Sequence, residues 1–260
     1  MLVYVPGSPR QYERSLAWVD RNGKIEPLAA PPRPYEWPRL SPDGQQVALE
    51  IREAKVDVWV YNIARSTSTR LTSETGSSQR PIWTPDGMRV TYRATRAGTR
   101  NIFWKMANGS GAEERLTTGE GNESPGSWLL GGKVLAYDVQ STTTATSIWV
   151  LGMEGDRKAQ PFLRTPFNES APQFSPDGRS LAYLSNESGR NGLYVQSYPG
   201  PGGKWEISTD GGSEPVWNRN GRELFYRSGN KIWVWTLPRS LLSLSGSPIC
   251  SLRDPTCLRR

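Results

Sequence analysis

APQFSPDGRSLAYLSNESG, residues 171–189, is one of several near copies of a single pattern. RPIWTPDGMRVTYRATRAG stands at 80–98, WPRLSPDGQQVALEIREA at 37–54 and EPVWNRNGRELFYRSGN at 214–230. Aligned on the glycine of the turn, the copies fall at Gly44, Gly87, Gly132, Gly178 and Gly221, with intervals of 43, 45, 46 and 43 residues. Four residues before each glycine sits a large apolar side chain: Leu40, Trp83, Trp128, Phe174 and Trp217. A proline lies two or three residues earlier still, at Pro38, Pro81, Pro125, Pro172 and Pro215. Self-similarity at such a period decides the architecture before any single residue does.

Each unit reads as four short strands. The first joint is a tight turn, in which proline presets φ, aspartate bonds back to nearby backbone and glycine accepts the left-handed conformation. After it come strands such as QVALEI and SLAYLS, then a second set that includes DVWVYNI, NIFWKMA and KIWVWTL, and then short closing segments such as TRLTS and ERLTT. The alternation is that of strands, and no stretch has the period of an amphipathic helix. A lone four-stranded sheet cannot bury both faces, whereas sheets stacked radially cover one another, which is the β-propeller solution. The recurring Trp or Phe is read as packing between blades.

Five full units are counted. LVYVPGS, SLAWVDR and IEPLAA match the second, third and fourth strands of a sixth unit that lacks its first. The expectation is an all-β, six-bladed propeller of four-stranded antiparallel blades with an incomplete seam. It occupies 1–238, with repeats near 1–35, 36–78, 79–122, 123–169, 170–212 and 213–238, and an irregular tail covers 239–260.

Composition agrees with a folded, turn-rich β-protein. Apolar content is 35%, but eleven Trp, ten Tyr and five Phe concentrate it in rings, and 26 Gly and 21 Pro supply turns. The net charge of +7 is scattered, with no run of like charges, so a nucleic-acid partner is not expected. No apolar segment is long enough to span a membrane. MLVYVPGSPRQYERS lacks a charged n-region and a long apolar core, and is expected to be a strand inside a domain rather than a signal peptide. Cys250 and Cys257 are read as incidental thiols in the tail.

The SPDG at 41–44 and 175–178 and the TPDG at 84–87, followed by strands such as LAY and by RLT, resemble the TolB-like β-propeller repeat. The resemblance extends to about residue 237. Two of the five turns depart from it, reading WLLGGK and WNRNGR, but Gly-Gly and Asn-Gly suit such turns equally. The resemblance implies a protein- or peptide-binding scaffold or sensor, part of a bacterial envelope or signalling protein, in a periplasmic or otherwise extracytoplasmic setting. Similar propellers also gate prolyl-oligopeptidase-like hydrolases, and a metal-dependent propeller enzyme is the other alternative.

Chemistry is sparse. The chain has no histidine, so the commonest general base is missing and a Ser-His-Asp triad cannot be built. No Gly-x-Ser-x-Gly elbow or phosphate-cradling glycine motif occurs. SGNK at 228–231 is read as a hairpin turn, and the NES triplets at 122–124, 168–170 and 186–188 as loop chemistry. No catalytic residue, cofactor or metal ligand is assigned; the turn aspartates have a sufficient local role, so calcium is not invoked. What remains is surface. The loops that enter the first strand of each unit carry Tyr35, Glu36, Trp37, Arg80, Glu123, Glu169 and Glu214, which are assigned to partner binding at one mouth of the propeller. Such a rim is acidic with an aromatic edge, and is expected to favour basic or amide-rich ligands of a peptide or protein.

Overall fold

A computed structural model describes residues 2–4, 13–141, 143–208, 210–229 and 231–237. These residues form strands and turns, with no helix among them. An N-terminal sheet holds β1 (Leu2–Tyr4), β2 (Ala17–Val19) and β3 (Ile25–Pro27) in sequence order. Four four-stranded sheets follow, each an antiparallel meander. The first is β4 (Tyr35–Leu40), β5 (Gln46–Arg52), β6 (Val56–Asn62) and β7 (Thr67–Arg70). The second is β8 (Ser78–Trp83), β9 (Arg89–Arg96), β10 (Thr99–Met106) and β11 (Glu114–Arg115). The third is β12 (Asn122–Trp128), β13 (Val134–Gln140), β14 (Ser147–Gly152) and β15 (Ala159–Leu163). The fourth is β16 (Glu169–Phe174), β17 (Ser180–Ser185), β18 (Gly192–Ser197) and β19 (Lys204–Glu206). A last sheet has three strands among the described residues, β20 (Ser213–Trp217), β21 (Glu223–Ser228) and β22 (Lys231–Thr236).

The expected count of six blades is corrected to five. Blades one to five begin at β4, β8, β12, β16 and β20, each with the turn glycine and the large apolar side chain four residues before it. The N-terminal sheet has no such first strand. Its three strands are three residues each and pair antiparallel over only three residues at each joint, so among the described residues it lacks the fourth strand and the longer ladders of a blade. Blade five also falls short of four strands among the described residues. The tail at 239–260, with Cys250 and Cys257, lies outside the described residues.

The chain divides into two compact units, residues 1–125 and 126–260. In the first, Ala48, Val58, Val60 and Leu71 of blade one pack with Trp83, Val90, Tyr92 and Phe103 of blade two. In the second, Ala136 and Ile148 of blade three meet Phe174, Leu181, Tyr183 and Tyr194 of blade four. Leu193 and Val195 of blade four in turn meet Trp217, Leu224, Tyr226 and Trp235 of blade five. The recurrent ring does more than fill space. Trp83 Nε1 donates to Arg39 O at 2.8 Å and Trp217 Nε1 to Gln173 O at 3.0 Å, so each indole also bonds the first strand of the blade before it. A buried indole needs such an acceptor.

Local chemistry explains the turns. Ser41 Oγ donates to Asp43 Oδ1 at 2.5 Å and accepts from Gln46 N at 2.9 Å, while Asp43 Oδ1 also takes Gln45 N at 3.0 Å. Thr84 with Asp86, and Ser175 with Asp177, repeat the arrangement. The glycine that closes each turn has φ between +68° and +77°, as at Gly221 and Gly44. In blade five Asn220 Oδ1 accepts Arg222 N at 2.9 Å and so replaces the aspartate. The RLT signature is a second local device. Thr72 Oγ1 accepts Val58 N at 3.0 Å and Thr117 Oγ1 accepts Ile102 N at 2.9 Å; in blade four Ser208 Oγ accepts Leu193 N at 2.8 Å. Each hydroxyl thereby satisfies a donor at the start of the third strand that the ladder leaves unpaired.

Candidate functional site

The first strands of four blades share an irregularity. The register of β4 slips between Glu36 and Arg39, that of β8 between Gln79 and Ile82, that of β16 between Ser170 and Gln173, and that of β20 between Ser213 and Val216. At each slip the residue before the recurrent proline has a left-handed backbone: Trp37 (φ 52°), Arg80 (52°), Ala171 (53°) and Glu214 (53°). Side chains resist this conformation, and a following proline steers its neighbour away from helical φ and ψ. Such a bulge inserts one residue, bends the strand and re-aims a side chain. The strain is held by the surroundings, a pattern typical of binding sites.

In the first unit the bulge of β8 is fixed from β5. Arg80 N donates to Glu50 Oε1 at 2.6 Å. Glu50 is 1% exposed. Burial pushes its carboxyl above the usual range, although the Arg80 N–H opposes the shift. Its other oxygen, Oε2, has no hydrogen bond and lies 3.8 Å from Arg52 Nη2. Arg52 in turn grips Glu36 Oε2 through Nε at 3.2 Å and Nη2 at 2.8 Å. Above this base the Arg80 guanidinium lies over the Trp37 ring at 4.6 Å, with Arg39 at 5.8 Å from the same ring. Trp37 and Arg80 are half-buried. Arg93 completes the group, donating to Gln79 Oε1 and to Ser124 Oγ, each at 2.9 Å.

The expected site residues therefore separate. Glu36, Trp37 and Arg80 come together in the first unit. Tyr35 is buried, 1% exposed, and its hydroxyl donates to Pro31 O at 2.7 Å. Glu123 is 3% exposed; its Oε2 accepts Asn101 Nδ2 at 2.8 Å and the Thr117 hydroxyl, and burial raises its carboxyl despite both bonds. In the second unit Glu169 repeats this. It is 1% exposed, takes the Thr165 hydroxyl and is likewise raised by burial. Two of the NES triplets thus place a buried, hydroxyl-bonded carboxylate at the root of a first strand. Only Glu214 of the second unit is exposed, 3.7 Å from Arg227 Nη1.

The acidic rim expected from the loops is not what the first unit presents. Glu36, Glu50 and Glu123 are buried or paired, Arg39 and Arg80 are half-buried beside Trp37, and Glu120, in the loop before β12, is an exposed carboxylate. Glu50, Arg52 and Arg93 were missed because they lie in second strands, not in the entering loops; Gln79 stands beside Arg80 in such a loop and was passed over. A signal existed: Glu50, Arg93, Asp138 and Arg227 all stand six residues after a turn glycine, charges inside otherwise apolar strands. A small pocket elsewhere in the first unit, lined by Glu53, Lys55, Asp57, Trp59 and Arg70, has its charges already committed, with Arg70 Nη2 to Asp57 Oδ2 at 2.5 Å and Arg33 Nη2 to Glu53 Oε1 at 2.7 Å. Among the described residues no group of three or more His, Cys, Asp or Glu side chains is placed to hold a metal ion, and no helix is long and apolar enough to cross a membrane.

Five blades, four of them opened by a bulged first strand and all of them turning at a left-handed glycine, match a known family model, the TolB beta propeller domain, over residues 19–219. The chain belongs to this family. The TolB protein of the Tol-Pal system from Bordetella pertussis is 26% identical over 120 residues, 46% of this chain and 27% of that protein. An uncharacterized protein of Agrobacterium fabrum is 26% identical over 160 residues, 58% of this chain and 55% of the relative. The chain thus spans about half of one curated relative and about a quarter of the other. The crystal structure of TolB from Acinetobacter baumannii superposes with a TM-score of 0.76 at 18% identity, covering 90% of this chain and 60% of that one. At that identity the likeness speaks for the fold.

Proposed function

We propose that this TolB-family propeller is a non-enzymatic module that binds a protein or peptide partner, as the scaffold or sensor part of a bacterial envelope or signalling protein. The observation that carries the reading is the Trp37–Arg80 pair. A tryptophan and an arginine, the residue types that most often dominate binding energy, stand half-exposed side by side on strained bulges. The Arg80 bulge is held from below by the buried Glu50 carboxylate and the Arg80 guanidinium stacks on Trp37, so the pair is ordered before a partner arrives and little entropy is lost on binding. Of the residues assigned from the sequence, Glu36, Trp37 and Arg80 form the contact surface in the first unit and Glu214 supplies one in the second. Tyr35, Glu123 and Glu169 act beneath the surface, fixing the loops.

The absence of histidine from the sequence supports a binding role over hydrolysis. The test is capture of short random peptides on an array by the purified 260-residue chain. Trp37→Ala is expected to reduce capture about tenfold, the scale of a hot-spot residue, with little change in the midpoint of urea unfolding. Equal capture by chain and variant would remove this site, and no capture by the parent chain would remove the reading.

A further inference from the structure

We propose that Arg80 anchors a carboxylate of the bound peptide, so that the site in the first unit selects an anionic ligand. This rests on the peptide-binding reading and adds the chemistry of the ligand.

The argument starts from what the guanidinium lacks. Arg80 Nε is buried and has no hydrogen-bond acceptor. The side chain makes no ion pair with any described residue: the nearby carboxylate of Glu36 is held by Arg52, and Glu50 spends one oxygen on the Arg80 backbone N–H. A desolvated guanidinium donor without an acceptor is costly. Its stack on Trp37 at 4.6 Å engages the flat face of the group. The N–H donors radiate in the plane, so stacking fixes the direction in which they point; Nε is sealed off, and the two Nη groups are the donors left for a ligand. A carboxylate matches that fork with two parallel charge-assisted bonds, which an ammonium or a neutral amide cannot do.

The surroundings favour the same sign. Arg39 lies 5.8 Å from the same ring and Arg52 is about half exposed, whereas the site carboxylates Glu36, Glu50 and Glu123 are paired, buried or both. A basic ligand would meet Arg80 and Arg39 first and be repelled. The backbone of Arg80 is bolted to Glu50 at a left-handed bulge, so the guanidinium is presented by a rigid strand, not by a loop free to swing away.

The experiment is a peptide array synthesised in four forms: acidic side chains present or replaced by their amides, each with a free or an amidated C-terminus. It is probed with the full chain and with Arg80→Gln. Capture is expected to concentrate on peptides with a carboxylate, to fall about tenfold when that group is amidated, and to fall equally with Arg80→Gln. On amidated peptides Arg80→Gln is expected to have no further effect. The form whose amidation abolishes capture identifies the source as a side chain or a chain terminus. Capture of neutral or basic peptides that ignores amidation overturns the anionic ligand but leaves peptide binding standing. An Arg80→Gln effect that is the same for all four forms overturns it too, because it marks a packing role. No capture in any form overturns both readings. Should Arg80→Gln shift the unfolding midpoint, Arg80→Lys is carried through the same cycle; it keeps the charge, loses the fork and is expected to discriminate less between carboxylate and amide.

Discussion

Strands β8 and β12 show how one side chain in a neighbouring blade shapes a backbone. Each carries, as its third residue, one set just before the recurrent proline, Arg80 in β8 and Ser124 in β12. At Arg80 the chain turns left-handed and its N–H points to Glu50. At Ser124 it does not turn left-handed, the strand holds one more residue between its proline and the turn glycine, and the side-chain hydroxyl takes Arg93 Nη1. Glu50 and Arg93 occupy the same place, six residues beyond a turn glycine. Where that place holds an acceptor, the bulge N–H has a partner and the strain is tolerated. Where it holds a donor, the backbone keeps an ordinary conformation and a side chain answers instead. In the second unit Asp138 at the same place accepts Ala171 N at 3.4 Å and Ala171 is left-handed, whereas Glu214 is left-handed although the place six residues beyond Gly178 holds Leu184, so a facing acceptor supports the bulge without being required for it.

The strongest way to break this comparison is to give blade one the residue of blade two. Glu50→Arg removes the acceptor of the Arg80 N–H and buries a second guanidinium beside Arg52 and Arg93. An unpaired buried charge costs about 3–5 kcal/mol, and urea unfolding is expected to register a loss of that size. A loss below about 1 kcal/mol would mean that Glu50 does not hold the bulge.

A gentler change sharpens the comparison through pH. Glu50→Gln keeps an oxygen for the Arg80 N–H but cannot ionise. Burial raises the Glu50 carboxyl in the folded state, so the folded chain binds its proton more tightly than the unfolded chain does. The parent chain should lose stability at this site as pH rises from the ordinary glutamate range through the raised value. Glu50→Gln should therefore gain on the parent as pH rises towards neutrality. The turn aspartates have the opposite sign. Burial alone would raise Asp86, but hydrogen bonds from Thr84 Oγ1 and Met88 N, with Arg89 nearby, outweigh it and hold the carboxyl below its usual range. The stability it contributes is complete above the unfolded aspartate range and is lost as pH falls through the lowered folded value. Asp86→Asn should flatten the acid limb of the unfolding curve, while Glu50→Gln should alter the limb above it. Identical pH profiles for the two variants would refute the assignment.

The smallest effect comes from the bulges themselves. Ala171→Gly relieves a side chain at φ 53° and is expected to leave stability unchanged or raise it by up to about 1 kcal/mol. Ser124→Gly has no such strain to relieve and gives up the bond to Arg93, and is expected to cost about 1 kcal/mol. Thermal unfolding of the pair reads the difference, and a gain at both positions would separate the backbone from the facing charge.

The legible parts of the fold were those written within a few residues. Ser41, Asp43 and Gly44 bond one another and Gln46, and Asn220 could be recognised as a stand-in for aspartate because its turn closes locally. The count of blades was less legible. LVY, AWV and IEP do form neighbouring strands and the lack of a first strand could be read, but the sequence pattern could not tell that the three would be only three residues long. The site was legible in part. Trp37 and Arg80 could be placed together because both precede a recurrent proline, whereas Glu123 and Glu169, chosen for the same loops, turned inward to the hydroxyls of Thr117 and Thr165.

By itself the sequence determined the repeat: which residues turn, which run as strands, and that a large apolar side chain recurs four residues before each glycine. Those features depend on neighbours a few positions away, and short-range hydrogen bonds and steric limits on φ and ψ settle them. Only the tertiary structure decided which charges face solvent. Glu50 meets Arg80 thirty residues on, and Arg93 meets Ser124 thirty-one residues on. Whether a carboxylate is spent inside or a guanidinium is left open depends on such distant partners, because the energy of a buried charge is set by what lies beside it in space and not along the chain.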